Sequence, residues 1–529
     1  MERAINPLTR LDYPDVDVIR VEDTYYMVST TMYFMPGCEI LRSYDLVNWE
    51  HAAYVYDVLD STPGQCLEGE ASIYGQGMWA ASLRYHKGMF YICFVANDTG
   101  KTYLYTSPAI EGPWKKQVVE GFYHDCSILF DEDDKVYIAY GNKYIHLLEL
   151  KADLSGPKEG GLNRVVVSDE GHPGLGYEGT HFYKINGKYY LFFIHSLRDR
   201  WKRVEACFMA DSLEGEFTGG DVLNDDMGYC NQGVAQGGIV DTPEGKWYAV
   251  LFQDRGAVGR IPVLLPVLWE KDYPVFGVDG RIPEVFEVHS TRPDYTYVPL
   301  VQSDDFTGGY EFASGEKASG RLTENAVYDS FGFKSCWQFN HEPVMELVKR
   351  DFQNGTVEIT TDKLCKNMVQ ARNTLTQRML FPGCIGEVTV DGSFLKEGDY
   401  AGLVALQGCY GMVALTKKDG KYYVVMMNRP ADTDGLGGMP KDTETGVLQE
   451  MVMSNESVVR FRIRTDFAQM KDEAAFFYDA GKGWKAIGVT QKLHFKLDHF
   501  TGCRFGLFVY STKAVGGKAV FSGFVYKEQ

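Results

Sequence analysis

The chain has 529 residues, 45% of them hydrophobic, and a net charge of −19 from 53 basic and 72 acidic side chains. Such a length exceeds one hydrophobic core and predicts two domains if they are all β, while the acidic balance repels phosphate backbones and excludes nucleic acid as the expected partner. No run of about 18 apolar residues is present to span a bilayer.

The start, Met1-Glu2-Arg3-Ala4-Ile5-Asn6-Pro7, lacks the basic and apolar stretches of a secretory signal, so the expected location is the cytoplasm. Eleven cysteines with no Cys-x-x-Cys pair fit reduced thiols in protein cores better than a disulfide framework or a zinc site. Tyrosine (34) and phenylalanine (31) are abundant, as β-rich packing or stacking on sugar rings would each require.

Through the first three hundred residues one unit recurs: an alternating strand, a tight polar turn, and a second strand that opens on an aromatic pair or near-pair. Val18-Ile19-Arg20 turns at Glu22-Asp23 into Tyr25-Tyr26-Met27, and Leu83-Arg84-Tyr85 turns at Lys87-Gly88 into Phe90-Tyr91-Ile92. Ile128-Leu129-Phe130 turns through Asp131 to Asp134 into Val136-Tyr137-Ile138. His181-Phe182-Tyr183 turns at Asn186-Gly187 into Tyr189-Tyr190-Leu191, and Ile239-Val240 turns at Glu244-Gly245 into Trp247-Tyr248-Ala249. Asn-Gly is a strong hairpin signal because both residues tolerate positive φ. The markers Tyr26, Tyr91, Tyr137, Tyr190 and Tyr248 stand about 65, 46, 53 and 58 residues apart, a period that fits one propeller blade per repeat. A β-sandwich also yields regularly spaced hairpins and is the alternative on pattern alone.

Eleven or twelve residues before each marker stand Asp15, Trp79, Asp125, Glu178 and Gln236. Equivalent positions in successive blades face one axis, so three carboxylates, a tryptophan and an amide are expected to share a pocket. Clustered carboxylates raise one another's pKa and cost stability, which points to chemistry rather than to scaffolding.

In these motifs the chain resembles glycoside hydrolase family 43, specifically its β-xylosidase-like members with a C-terminal lectin-type domain. Asn6-Pro7 with Tyr13-Pro14-Asp15 is similar to the family's opening motif, which implies Asp15 as general base. His124-Asp125-Cys126-Ser127 implies Asp125 as the modulator of the acid's pKa, and Tyr177-Glu178-Gly179-Thr180-His181 implies Glu178 as general acid. Met78-Trp79-Ala80, Gln236-Gly237-Gly238 and Gly259-Arg260-Ile261-Pro262 match further segments, with Arg260 reaching a sugar hydroxyl. Trp337 to His341 and Ala371 to Gln377 resemble the sandwich that follows the propeller in these enzymes.

The resemblance implies an all-β chain: a five-bladed β-propeller over 1–295, a linker around Ser290 to Ser303, and a concanavalin-like β-sandwich over 303–529. It implies inverting, exo-acting hydrolysis that releases xylose or arabinose from hemicellulose fragments, through carboxylates on blades one and four. An α-L-arabinofuranosidase or a non-catalytic carbohydrate-binding protein are the other readings. Trp79, Arg260, Gln236, Met32 and Phe34 are the expected sugar contacts, Met32 standing where relatives carry an aromatic. Val16-Asp17 replaces the usual Pro-Ser, and Asp12 and Asp17 are expected on a solvated rim. Gln236 stands where many relatives carry a histidine near a central calcium or water cluster, so no cofactor is required and calcium stays open, as does a homo-oligomer. The second domain is expected to extend a loop over the pocket mouth, His341 to be structural, and Asp432 to Gly446 to form a mobile loop.

Overall fold

A computed structural model describes residues 2–312, 322–323, 326–430 and 444–529; of the stretch from Asp432 to Gly446, residues 432–443 lie outside these. Five four-stranded antiparallel meanders fill the first half. Blade I comprises Asp17–Val21, Thr24–Ser29, Gly37–Ser43 and Glu50–Tyr56. Blade II comprises Ser82–His86, Met89–Ala96, Lys101–Ser107 and Lys115–Val119, and blade III Ser127–Phe130, Val136–Tyr140, Tyr144–Leu150 and Asn163–Ser168. Blade IV comprises Glu178–Ile185, Lys188–Ser196, Arg203–Ala210 and Thr218–Leu223, and blade V Ala235–Asp241, Trp247–Asp254, Arg260–Glu270 and Tyr273–Phe276. Each repeat read from the sequence is the first hairpin of one blade. Lys87-Gly88 and Asn186-Gly187 both have positive φ at the two turn residues, the twist that suits a two-residue hairpin.

The first strands of successive blades contact one another around the ring, and that of blade V meets that of blade I. Glu2–Ile5 then pairs antiparallel with Val285–Val288, joining the two ends of this half. Between blades the packing is apolar, as where Leu83, Ile92 and Phe94 meet Val28, Ile40 and Tyr56.

The second half is a sandwich. One sheet runs in the order Val447–Ser454, Lys421–Asn428, Gly411–Lys418, Asp399–Leu406, Arg504–Ser511, Leu375–Arg378 and Gln338–Asn340. Its facing sheet runs Val348–Asp351, Thr356–Thr360, Lys518–Glu528, Cys384–Asp391, Val458–Asp466, Glu473–Asp479 and Lys485–Ala486. Alternation along Val458–Asp466 buries Val459, Phe461 and Ile463 while the residues between face outward.

The halves are not separate bodies. The short strand Phe34–Met35, between the second and third strands of blade I, pairs with Gln338–Asn340 and forms the edge of the first sandwich sheet. One core cluster includes Tyr13 and Trp49 of the propeller with Trp337 and Phe505 of the sandwich. Arg378 of the sandwich reaches into the propeller, donating to the Asp12 carbonyl (2.9 Å) and pairing with Glu39 (2.7 Å) over the ring of Tyr13. Burial pushes the Glu39 carboxyl up, but Arg378 and His51 overcome it and hold it at about 2. The linker lies along blade I, where the hydroxyl of Tyr297 donates to Asp45 and the Val298 amide to Glu50. All eleven cysteines are free thiols, nine of them buried.

Candidate active site

At one end of the propeller axis lies a cavity of about 510 Å³, within the usual size for a small-ligand site. Asp15, Trp79, Asp125, Glu178 and Gln236 all line it, one from each blade. The backbone is left-handed at Asp15 (φ 52°), Asp125 (φ 48°) and Gln236 (φ 57°), and in blade IV one residue later, at Gly179 (φ 66°). Such conformations cost energy outside glycine and recur where a side chain must be aimed at a site. Gly179 is obligatory twice over, because a Cβ there would also sit 2.6 Å from the amide carbon of Gln236.

Asp15 accepts a hydrogen bond from the Thr30 hydroxyl (2.9 Å) and one from the guanidinium of Arg260 (2.8 Å). Arg260 is itself buried, 4.4 Å from the ring centroid of Phe500 and 5.3 Å from that of Phe495. It therefore holds a carboxylate at the cavity wall rather than forming a surface pair. Asp125 accepts from the Gly179 amide (3.0 Å) through its side chain and from the Thr180 amide (3.3 Å) through its carbonyl. These bonds fasten blade III to the start of the strand that carries Glu178. Glu178 accepts a hydrogen bond from Asn142. His124 faces both acids, 3.6 Å from Asp125 and 3.8 Å from Glu178.

The electrostatics follow. Burial pushes the Asp125 carboxyl up to about 6; His124 opposes this, and Glu178 and Asp15 add to it. His124 is pushed up to about 9, chiefly by Asp125 and then by Glu178, against burial. The three groups form one shared-charge cluster. Arg203 and Asp254 pair beside Arg260, and burial, reinforced by Arg260, draws the Arg203 guanidinium down to about 9.

The far wall comes from the sandwich: the segment 493–500, with Phe495, Leu497 and Phe500, and a second loop with Met470 and Asp472. The expected loop over the mouth is thus present. Asp12 anchors it, accepting from the Arg260 amide (2.7 Å) and the Gly502 amide (2.8 Å).

Some expectations fail. Met32 and Phe34 do not line the cavity: Met32 is buried and bridges to Met78, and Phe34 is buried at the sandwich edge under Arg504, 3.5 Å from its ring centroid. Asp12 and Asp17 are not on a solvated rim. Both are buried, because each has backbone or guanidinium donors from distant segments. His341 accepts from the Ile73 amide (3.1 Å) and stacks on Tyr33, as a structural histidine does.

Beneath the cavity the axis is occupied by Arg84 of blade II. It donates to Asp17 of blade I (2.6 Å), to the Ile128 carbonyl (2.8 Å) and Ser127 hydroxyl (2.6 Å) of blade III, and to the Phe182 carbonyl (3.2 Å) of blade IV. His181 bridges the carbonyls of Val16 and Gly179 beside it. A guanidinium already uses the oxygens that a calcium ion would need, so among the described residues the axis does not fit that ion. Among the described residues two groups elsewhere have ligand spacing, His124-Asp125-Glu178 in the cavity wall and Asp169-His172-His195, from the connection between blades III and IV and the second strand of blade IV.

Sequence reasoning missed Arg203, Asp254, Phe495, Phe500 and the charge on His124. Only His124 carried a signal, its place next to Asp125.

Carboxylates from blades I, III and IV at the propeller axis, with an aromatic face and a guanidinium in one cavity, fit a sugar-hydrolysing site. Comparison with known proteins agrees. The profile of the glycosyl hydrolases family 43 matches residues 4–274, and that of the beta xylosidase C-terminal concanavalin A-like domain matches residues 327–527. A bifunctional GH43-CE protein of Bacteroides eggerthii is 41% identical with a TM-score of 0.86, over 100% of this chain and 64% of that one. A solved GH43 hydrolase, described as engineered to display endo-xylanase and exo-arabinofuranosidase activity, is 26% identical with a TM-score of 0.84 over the whole of both chains. A beta-xylosidase of Formosa agariphila is 26% identical over 99% of this chain and 90% of its own. The chain belongs to glycoside hydrolase family 43, and it is a glycosidase built as a five-bladed propeller with a concanavalin-like sandwich.

Proposed function

We propose that the enzyme releases single xylose units from the non-reducing ends of xylo-oligosaccharides, inverting the anomeric carbon. The observation that carries this reading is the placement of Asp15 and Glu178 on blades I and IV, which are not neighbours, in a cavity walled off by Phe495 and Phe500. Inversion needs about 6.5–9.5 Å between two carboxyls, enough for a water under the sugar. Asp15 takes a proton from that water as the oxygen attacks the anomeric carbon, and Arg260 holds its carboxylate in place. Glu178 gives its proton to the glycosidic oxygen as the bond to the leaving sugar breaks. Asp125 positions Glu178 through the Gly179 and Thr180 amides. Trp79 offers a ring face, and Gln236 and Arg260 offer donors to hydroxyls. The sandwich segment with Phe495, Leu497 and Phe500 bounds one side of the cavity, which supports exo action. Calcium has no part in this reading.

Early proton NMR of a β-xyloside digest tests it. The first product is α-xylose, and initial build-up of β-xylose would refute the mechanism. A second reading, α-L-arabinofuranosidase, is favoured by the exo-arabinofuranosidase activity described for the engineered relative. A panel of aryl glycosides separates the two.

A further inference from the structure

We infer that Trp201 is the stacking platform for the leaving-group sugar, the second ring of the substrate. This rests on Glu178 being the acid. The group that protonates the glycosidic oxygen must face it, so the departing sugar lies on the side of blade IV. There, the loop between Lys188–Ser196 and Arg203–Ala210 brings Trp201 to the cavity with its side chain 45% exposed. Exposed large aromatics such as Phe394 and Tyr85 lie outside the cavity lining, where isolated apolar groups need no explanation.

The loop is held for the task. The Leu197 amide donates to the Lys202 carbonyl (2.9 Å), and Asn231 donates to the Trp201 carbonyl (3.3 Å) from the next segment of the rim. The Arg203 guanidinium lies over the indole, 5.9 Å from its centroid. Gln232 and Met470 complete this side of the lining. An anchored, half-exposed indole in the cavity lining matches the apolar C–H face of a pyranose, and stacking there binds a second sugar without demanding particular hydroxyls. The platform therefore makes the enzyme prefer a sugar as leaving group, and it acts through binding before chemistry.

The test compares xylobiose, whose leaving group is a sugar, with β-D-xylopyranosyl fluoride, whose leaving group has no ring. Trp201→Ala raises KM for xylobiose and lowers kcat/KM about tenfold, with kcat changed little. On the fluoride it costs no more than about twofold, and that activity also reports correct folding. Trp201→Phe restores most of the xylobiose activity. Equal losses on the two substrates, or an unchanged KM for xylobiose, overturn the platform. Failure of the wild-type enzyme to cleave either substrate would instead refute the xylosidase reading.

Discussion

Of the three axial acids, Glu178 accepts from Asn142 and faces His124, whereas Asp15 is fastened by the Thr30 hydroxyl and the Arg260 guanidinium and Asp125 by the Gly179 amide. Glu178→Ala is expected to lower kcat/KM on xylobiose by about 10²–10⁴-fold. Aryl xylosides with acidic phenols need little protonation and lose far less. Asp15→Ala loses both alike, because water must still be activated. Steady-state rates on a series of aryl leaving groups give the comparison, and equal losses in Glu178→Ala would remove it from the role of acid.

Among the elements, the inner hairpins are pinned together by Arg84, whose donors reach blades I, III and IV from blade II. Removing it leaves Asp17 as a buried carboxylate facing the Val18 and Leu83 amides and the His181 ring, without its guanidinium. Arg84→Met is therefore expected to cost about 3–5 kcal/mol, read as a lower urea midpoint, with part recovered in the double variant that also carries Asp17→Asn. The blades themselves were legible in the sequence because a hairpin is local: Lys87-Gly88 and Asn186-Gly187 announce turns regardless of their surroundings. The offset from each marker tyrosine to the axis was legible for the same reason, since it counts residues along one hairpin. Asp12, Asp17, Met32 and Phe34 were misjudged because their surroundings are set by Gly502, Arg84, Met78 and Asn340, residues from about 50 to 500 positions away that no local pattern encodes. Phe495 and Phe500 belong to a domain without the repeat, so nothing in the period of the propeller pointed to them.

At the scale of the whole molecule, a core cluster running from Tyr13 and Trp49 to Trp337 and Phe505, and the buried pair of Glu39 with Arg378, predict that propeller and sandwich unfold together. Scanning calorimetry should show one transition with equal calorimetric and van't Hoff enthalpies. Two resolved peaks would show instead that the halves are independent. The strand Phe34–Met35 has a further consequence, which concerns timing on the ribosome. Its partner Gln338–Asn340 is made some 300 residues later, which at about 5–20 residues per second is a wait of about 15–60 s. Throughout that interval a strand edge of blade I stands open on the nascent chain, and the aromatic wall at 493–500 does not yet exist. The cavity therefore becomes selective for chain ends only once the segment 493–500 has been made.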